Sequence, residues 1–190
     1  RDLKYVRAGD PSGAIWGTSI IIESANFVGE YTSLTIVDGR PAIAYYDSTS
    51  GDLKYIRAED TTGNTWPATG NTADSAANVG QYASLAIVDG RPAIAYYDSS
   101  YNDLKYIRAN DATGSSWPSS LDPVDGPDAV GRYASLAIVD GHPAIAYRDD
   151  DNTALKYTRA DDAIGATWTF SMTVDNSANV GEYASLAVVD

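Results

Sequence analysis

A repeat of about 51 residues, four strand-like segments in each copy, and strands that are apolar on both faces predict an all-β fold. Together they indicate a β-propeller built from four-stranded antiparallel blades. The 190 residues hold about 3.7 copies of the repeat. We therefore expect one β-propeller region that forms part of a larger or oligomeric ring.

The repeat is marked by two motifs that return at a nearly constant step. Leu3-Lys4-Tyr5 recurs three times, at steps of 50, 51 and 51 residues, and the four tryptophans keep the same steps. Residues 31–58 and 82–109 differ at only five positions, so no linker or second domain fits between the copies. The predicted organisation is a partial blade over 1–30, blades over 31–81, 82–132 and 133–182, and a lone inner strand over 183–190.

The second copy shows why each element is expected. Segments 82–88, 92–97 and 104–109 are rich in β-branched and aromatic residues and are bounded by turn residues, as strands are. Asp89-Gly90, between the first two segments, favours a two-residue hairpin turn. A glycine-containing turn then leads into a fourth, more polar segment. We expect this last segment to be the outer edge of the blade.

The first two strands of each copy alternate large and small apolar side chains instead of apolar and polar ones. Leu85 and Ile87 lie on one face, and Ala86 and Val88 lie on the other. Both faces of each sheet must therefore be covered. Sheets that repeat around an axis and pack on their neighbours satisfy this requirement, and the small residues allow close approach near the axis.

Composition excludes several classes of function. The 26 acidic and 13 basic side chains give a net charge of −13, which disfavours nucleic acid as a partner. The absence of cysteine excludes a disulfide scaffold, a thiolate metal site and a cysteine nucleophile. No apolar run is long enough for membrane insertion. The acidic surface, rich in Tyr, Ser, Thr and Asn, suggests an extracellular or cell-surface location.

The repeat resembles a known family. Each copy has the form SLA..DG.PAIAYYD…DLKY, followed by a Gly-x-x-Trp turn. This pattern is similar to the Asp-box, or BNR-type, propeller repeats of the sialidase superfamily. It resembles especially the repeats of bacterial secreted propellers. The turn departs from the box, because Asp60 and Gly63 are three residues apart instead of two. In that family the box is a structural turn, so the resemblance implies fold more than activity.

Candidate ligand-binding residues lie where the copies differ, on the loops of one face of the disc. Tyrosines beside carboxylates and hydroxyls suit sugar recognition, because sugar faces stack on aromatic rings and sugar hydroxyls bond to polar groups. The alternative is that Tyr45, Tyr96 and Tyr147 belong to the core and the remainder is solvated loop. The candidates are Glu30, Gln81 and Arg132 before the first strand, and Tyr46, Asp47, Tyr97, Asp98, Arg148 and Asp149 after the second.

A run of carboxylates in the third copy raises the question of a cofactor. Asp149, Asp150 and Asp151 are weak candidates for a calcium site, since Ca²⁺ takes six or more oxygen ligands. Their spacing does not follow the EF-hand pattern, and aspartate runs are usually exposed turns. Apart from this Ca²⁺ hypothesis, the sequence implies no cofactor.

Hydrolysis is a second possibility that the resemblance implies. Sialidase-like enzymes use an arginine cluster, a tyrosine nucleophile activated by a glutamate, and an acidic proton donor. The arginines of this chain occupy one equivalent position in every copy, so a repeated structural contact is expected of them. His142 replaces Arg40 and Arg91 in a turn and has no triad partner. The sequence therefore assigns no catalytic residue and leans against an enzyme.

Three functions remain open. The first is a non-catalytic propeller that binds a glycan or protein ligand, or acts as a scaffold, through several similar weak sites. The second is the incomplete propeller of a sialidase-like or polysaccharide-cleaving enzyme. The third is a purely architectural repeat. In each case we expect the chain to continue into further blades or to pair with another chain.

Overall fold

The computed structural model describes residues 1–119, 122–126 and 128–189. These residues contain thirteen β-strands. Within the same residues, no helix is long and apolar enough to cross a membrane. The strands are β1 (Leu3–Tyr5), β2 (Ile20–Glu23), β3 (Val28–Val37), β4 (Arg40–Asp47), β5 (Asp52–Arg57), β6 (Asn71–Asp74), β7 (Val79–Val88), β8 (Arg91–Asp98), β9 (Asp103–Arg108), β10 (Val130–Val139), β11 (His142–Asp149), β12 (Ala154–Arg159) and β13 (Phe170–Asp175).

The strands form antiparallel sheets in which each strand pairs with the next along the chain. β3–β6 and β10–β13 are four-stranded, β7–β9 is three-stranded, and β1 pairs with β2 alone. In the three-stranded sheet, a single bridge between Leu104 and Asp125 stands where the fourth strand is expected. Part of that expected strand, at residues 120, 121 and 127, lies outside the described residues. This arrangement confirms the predicted all-β fold of antiparallel blades.

The final inner strand expected over 183–190 is not formed in the described residues. Residues 183–189 lie beside β10, where the Leu186 amide donates to Ser135 Oγ at 2.9 Å, but they join no ladder. A strand needs a hydrogen-bonded neighbour, and no second strand of that blade lies beside this segment among the described residues.

The Asp-Gly pairs form the tight turns that the sequence predicts. In the first complete sheet, Asp38 and Gly39 have φ angles of 46° and 73°, which is the left-handed pair that a type I′ hairpin requires. The Arg57 guanidinium holds this turn, because Nε donates to the Val37 carbonyl at 2.9 Å and Nη2 donates to Asp38 Oδ2 at 2.8 Å. Arg108 makes the same contacts one repeat later. These two arginines are therefore structural, as expected.

Neighbouring sheets pack face to face through large side chains on one sheet and small ones on the next. Leu85, Ile94 and Tyr96 share a buried cluster with Ala42 and Ala44 of the preceding sheet. A polar contact accompanies each junction near the axis, where a serine hydroxyl of one inner strand accepts from a leucine amide of the next. The pairs are Ser33–Leu85, Ser84–Leu136 and Ser135–Leu186, each at 2.9 Å.

Tyrosines of the second strand of each sheet also cross to the preceding repeat. Tyr45, Tyr96 and Tyr147 are fully buried, as the core alternative predicts. Each hydroxyl donates to an acidic side chain that lies 22 residues earlier. Tyr96 bonds Asp74 at 2.6 Å, and Tyr45 and Tyr147 bond Glu23 and Asp125.

The turn between the third and fourth strands is built around its aspartate. Asp60 accepts hydrogen bonds from the side-chain hydroxyls of Thr62 and Thr65 and from their amides, the amide bonds both at 2.7 Å, and these bonds lower the pKa of its carboxyl. Trp66 Nε1 donates to the Gly63 carbonyl at 2.7 Å. The turn is thus closed by its own polar groups and has a structural role.

Candidate ligand-binding rim

Most of the residues that the sequence singles out as ligand candidates are buried. The second strand of each sheet ends with two of these residues, and all six are inaccessible to solvent or nearly so: Tyr46, Asp47, Tyr97, Asp98, Arg148 and Asp149. These strand ends were expected to open onto a loop face, but neighbouring segments of the chain cover them.

The three buried aspartates hold the loops that follow them. Asp47 Oδ1 accepts from the Thr49 amide at 2.9 Å, and Asp98 Oδ1 accepts from the Ser100 amide at the same distance. Asp149 Oδ1 accepts from the Asn152 amide, also at 2.9 Å. A carboxylate that accepts backbone amides in this way shapes a turn.

Tyr46 and Arg148 occupy the same place in different repeats, and both reach the segment that leads into the next repeat. The Tyr46 hydroxyl donates to Asn78 Oδ1 at 2.7 Å. Arg148 Nη1 donates to the Val180 carbonyl at 2.7 Å and Nη2 donates to Asn179 Oδ1 at 2.6 Å. Tyr97, at the equivalent position of the middle repeat, instead donates to Asn102 Oδ1 of its own loop at 2.6 Å.

The other three candidates are half-buried and lie at one equivalent position on the inner strands. Glu30, Gln81 and Arg132 share this position with Glu182. Arg132 Nε lies 3.2 Å from Asp150 Oδ2, and its guanidinium carbon lies 5.1 Å from the centre of the Tyr97 ring. Four polar side chains of three kinds therefore follow one another along the inner edge of the molecule.

The residues directly after them are four tyrosines, for which the sequence predicted no binding role. Tyr31, Tyr82, Tyr133 and Tyr183, which we call the rim tyrosines, stand side by side along this edge. Successive ring centres are 4.4, 4.6 and 4.7 Å apart, and the ring planes are tilted by 47° to 53°. The two outer rings are exposed, Tyr31 by 39% and Tyr183 by 80%, and the two between them are half-buried.

The backbone at the rim tyrosines is unusual and the same in every repeat. Their φ angles lie between 52° and 56°, in the left-handed region that bulky residues rarely adopt. In β3, β7 and β10 the ladder register shifts around this point, as at a β-bulge. A bulge re-aims a side chain and often accompanies a functional site. The bulge here turns each phenol towards its neighbour, at a cost of about 1–3 kcal/mol per strained residue.

A glycine two residues earlier makes this geometry possible. Gly80 has a φ of 103°, and a Cβ there would lie 2.7 Å from the Cα of Leu53. Gly131 lies equally close to Leu104. The Gly-x-Tyr triplet, present in all four copies, is the sequence signal that could have identified the rim.

The rim tyrosines line a shallow groove of about 470 Å³, floored by the small residues that follow each of them. A second concavity of about 650 Å³ adjoins the groove at Tyr31 and is lined by Glu30, Arg1 and Lys4. Burial, with the neighbouring phenols of Tyr31 and Tyr133, raises the pKa of Tyr82 above its usual value of 10, so this hydroxyl is neutral at physiological pH. The groove therefore offers ring faces and hydroxyls, with charged groups at its edges.

The carboxylates considered for calcium do not converge. Asp149 bonds Asn152, Asp150 lies between Arg148 and Arg132, and Asp151 Oδ2 accepts from the Ala129 amide at 3.1 Å. In the described ranges no group of three or more acidic or histidine side chains is placed to hold a metal ion. The structure therefore gives the calcium hypothesis no site.

Comparison with known proteins shows similarity in structure alone. No family model and no curated protein sequence matches the chain. Similar solved structures include a thermostable family-43 glycoside hydrolase (TM-score 0.57, 11% identity, covering 80% of this chain and 54% of that one). Another is the exo-beta-1,3-galactanase from Phanerochaete chrysosporium with beta-1,3-galactotriose (0.56, 14%, 92% and 43%). A third is a Hadza microbial sialidase (0.54, 19%, 88% and 36%). This chain thus spans about half or less of each, and the shared feature is the β-propeller fold.

Proposed function

We propose that the chain is the sugar-binding propeller part of a carbohydrate-active protein and that the rim tyrosines form its binding surface. The observation that carries the proposal is the row of four partly exposed tyrosines with strained backbone, placed at the axis of the fold. Strain of this kind is kept where the surrounding structure enforces it, commonly at ligand sites. The likeness to glycoside hydrolases and a sialidase supports a carbohydrate ligand.

The chemistry of the groove matches a neutral oligosaccharide. Tyrosine offers an apolar face for the C–H groups of a sugar ring and a hydroxyl for its polar edge. The rim adds carboxylate, amide and guanidinium groups that can bond different sugar hydroxyls along the groove, from Glu30, Gln81, Arg132 and Glu182. Specificity in such sites comes from a few polar groups around an apolar floor.

The spacing of the rings argues for one extended ligand per chain. Neighbouring rim tyrosines are too close and too tilted for a separate sugar to stack on each of them. An oligosaccharide that runs along the groove contacts several rings at once. This differs from the sequence-based expectation of one similar site in every blade.

Calorimetric titration with neutral galactose- and glucose-containing oligosaccharides tests the proposal. We expect about one ligand per chain, and we expect Tyr82→Ala to weaken binding by about two- to tenfold, because an aromatic contact contributes about 0.5–1.5 kcal/mol. Tyr101→Ala is the matched control, since Tyr101 is 66% exposed on a loop and is not part of the rim. Equal affinity of the two variants, or no binding by the wild type, would contradict the proposal.

A second candidate function is glycan cleavage, which the glycoside hydrolase and sialidase neighbours favour. Glycosidases need two carboxyl groups on either side of the scissile bond. Glu30 and Glu182 are the carboxylates at the rim position itself. Release of a chromophore from aryl glycosides and sialosides by the purified chain, lost in Glu182→Gln or Glu30→Gln, would establish cleavage. Binding without turnover would leave the first function.

Two finer expectations belong to the same proposal. The geometry of the Asp60 turn, closed by its own amides and by the Trp66 indole, supports the likeness to Asp-box repeats. An extracellular or cell-surface location would bring the rim to glycans, and surface labelling of intact cells that express the parent protein tests it.

A further inference from the structure

The rim tyrosines differ from the other tyrosines of the chain in what they contact. The hydroxyl groups of the buried tyrosines donate to partners of other kinds. Tyr96 donates to Asp74 and Tyr97 donates to Asn102 Oδ1, both at 2.6 Å. The rim tyrosines instead contact one another, ring to ring, from each repeat to the next. A reaction that joins two phenols is therefore favoured at the rim.

The spacing of the rim rings is close to that of two phenols joined directly to each other. When a carbon–carbon bond joins two aromatic rings, their centres are separated by that bond and by one ring radius on each side. The centre of the Tyr82 ring lies 4.4 Å from that of Tyr31 and 4.6 Å from that of Tyr133, which is nearly this separation. A bond between neighbours therefore requires the rings to turn, but it requires little change in the distance between their centres.

The tyrosines that flank the rim are less suited to such a bond. The ring centre of Tyr46 lies 6.2 Å from that of Tyr31, and the ring centre of Tyr97 lies 6.3 Å from that of Tyr82. Tyr46 and Tyr97 are buried, and the hydroxyl group of each donates to an asparagine side chain. A bond to either ring would require it to move out of a closely packed position, which is costly.

Tyr82 has both of its rim neighbours within the array. It belongs to β7, whose sheet lies between β3–β6 and β10–β13, and its ring contacts Tyr31 on one side and Tyr133 on the other. The ring is half-buried and lines the groove, so part of it is open to a small oxidant. The φ angles of 54° at Tyr82 and 56° at Tyr133 keep the two side chains turned towards each other. This contact belongs to a junction between two repeats that are both present in the structure.

We propose that adjacent rim tyrosines, above all Tyr82 with Tyr31 or Tyr133, form a dityrosine cross-link when hydrogen peroxide and a haem peroxidase oxidise the protein. Each phenol loses one electron and one proton, and the two phenoxyl radicals couple through ring carbons adjacent to those that carry the oxygens. The hydrogens on the joined carbons then move to the two oxygens, which restores both phenols. One hydrogen peroxide accepts the two electrons and two protons and becomes two water molecules.

The cross-link adds a covalent bond across a junction that packing and hydrogen bonds otherwise hold. One of those hydrogen bonds joins Ser84 and Leu136, close to the rim. Tyr82 and Tyr133 are 51 residues apart in the sequence, so a bond between them closes a long loop. Closing such a loop lowers the conformational entropy of the unfolded chain and so stabilises the folded one. Because the chain has no cysteine, a disulfide cannot supply this constraint.

Oxidation of the purified chain by hydrogen peroxide and a haem peroxidase, in dilute solution without carbohydrate, tests this inference independently of sugar binding. We expect dityrosine fluorescence in the monomer fraction and a monomer mass lower by two hydrogens. Proteolysis and mass spectrometry should then identify linked peptides that contain Tyr82 with Tyr31 or Tyr133. The cross-linked monomer should melt roughly 5–15 °C above the untreated chain, as expected for a disulfide that closes a loop of this length.

Phenylalanine variants separate the rim from the other tyrosines, because phenylalanine keeps the ring but has no hydroxyl from which a phenoxyl radical forms. Tyr82→Phe combined with Tyr183→Phe leaves no two rim phenols adjacent and should abolish the cross-link within the monomer. Tyr101→Phe, which changes an exposed loop tyrosine, should cross-link like the wild type. Circular dichroism checks that each variant is folded. The proposal would be overturned if the wild-type monomer formed no dityrosine, if the linked peptides came only from tyrosines outside the rim, or if the double variant cross-linked like the wild type.

Discussion

Replacement of Gly114 by alanine tests whether the packing of each turn on the preceding repeat stabilises the propeller. A Cβ at this position would lie 2.5 Å from the Tyr55 ring and 3.1 Å from Pro92. The ring cannot easily move away, since its hydroxyl donates to the Thr113 carbonyl at 3.0 Å and its face packs 5.3 Å from Trp117. The overlap must therefore be relieved by separating the two repeats.

The magnitude follows from a matched position in the same molecule. Gly114 and Gly13 have φ angles of 75° and 70°, so alanine at either one costs about 1–2 kcal/mol of backbone strain. Only Gly114→Ala adds the cost of overpacking, which is about 1–3 kcal/mol. For a chain of this size, the added cost lowers Tm by roughly 2–4 °C per kcal/mol relative to Gly13→Ala.

Differential scanning calorimetry of the two variants, at concentrations where the chain is monomeric, measures the difference directly. The expected order is wild type, then Gly13→Ala, then Gly114→Ala. Equal melting temperatures for the two variants would show that the contact between turn and ring does not contribute to stability.

Three further predictions concern the polar contacts. Hydrogen bonds from the amides of Ala166 and Ile164 outweigh partial burial and lower the pKa of Asp162 to about 2. The stabilising contribution of this carboxylate is therefore present above its unfolded pKa near 3.8 and is lost as the pH falls towards 2. Thermal melts should show less acid destabilisation in Asp162→Asn than in the wild type. Burial, and after it the nearby Asp74 carboxylate, raises the pKa of Tyr96, so the contribution of this residue to stability is lost above pH 10. Tyr96→Phe should reduce this loss of stability at alkaline pH. In urea titrations at neutral pH, the same variant should lower the free energy of unfolding by about 1–2 kcal/mol. Arg57→Lys should destabilise more than Arg159→Lys in the same titrations, because the aspartate contact of Arg57 is 2.8 Å and that of Arg159 is 3.6 Å.

The fold follows from the sequence because its determinants are local and repeated. Asp89-Gly90 fixes a hairpin, alternating large and small residues require covered faces, and the constant step places each blade against the next. The exact start of the inner strand could not be predicted from the sequence. We expected it at Tyr82, but β7 begins at Val79, because a bulge with positive φ lets the strand continue through Gly80 and Tyr82.

The site was less accessible to sequence reasoning, for a physical reason. Polar residues beside tyrosines, such as Tyr97 and Asp98, suggest an exposed loop, but their burial depends on how closely the neighbouring repeat approaches. The rim tyrosines are equally hard to recognise, since the left-handed backbone that turns them towards one another is not encoded by a residue type that prefers it. Only the invariant Gly-x-Tyr triplet marks the position.

The central claim is that the rim tyrosines bind a carbohydrate, and fluorine NMR of the chain labelled with 3-fluorotyrosine tests it most directly. Signals are assigned by replacing single tyrosines with phenylalanine, and an oligosaccharide that binds in calorimetry is then added. We predict that the signals of Tyr82 and Tyr133 shift on saturation and that the signal of Tyr101 does not. Shifts confined to tyrosines away from the rim, or binding without any tyrosine shift, would contradict the assignment.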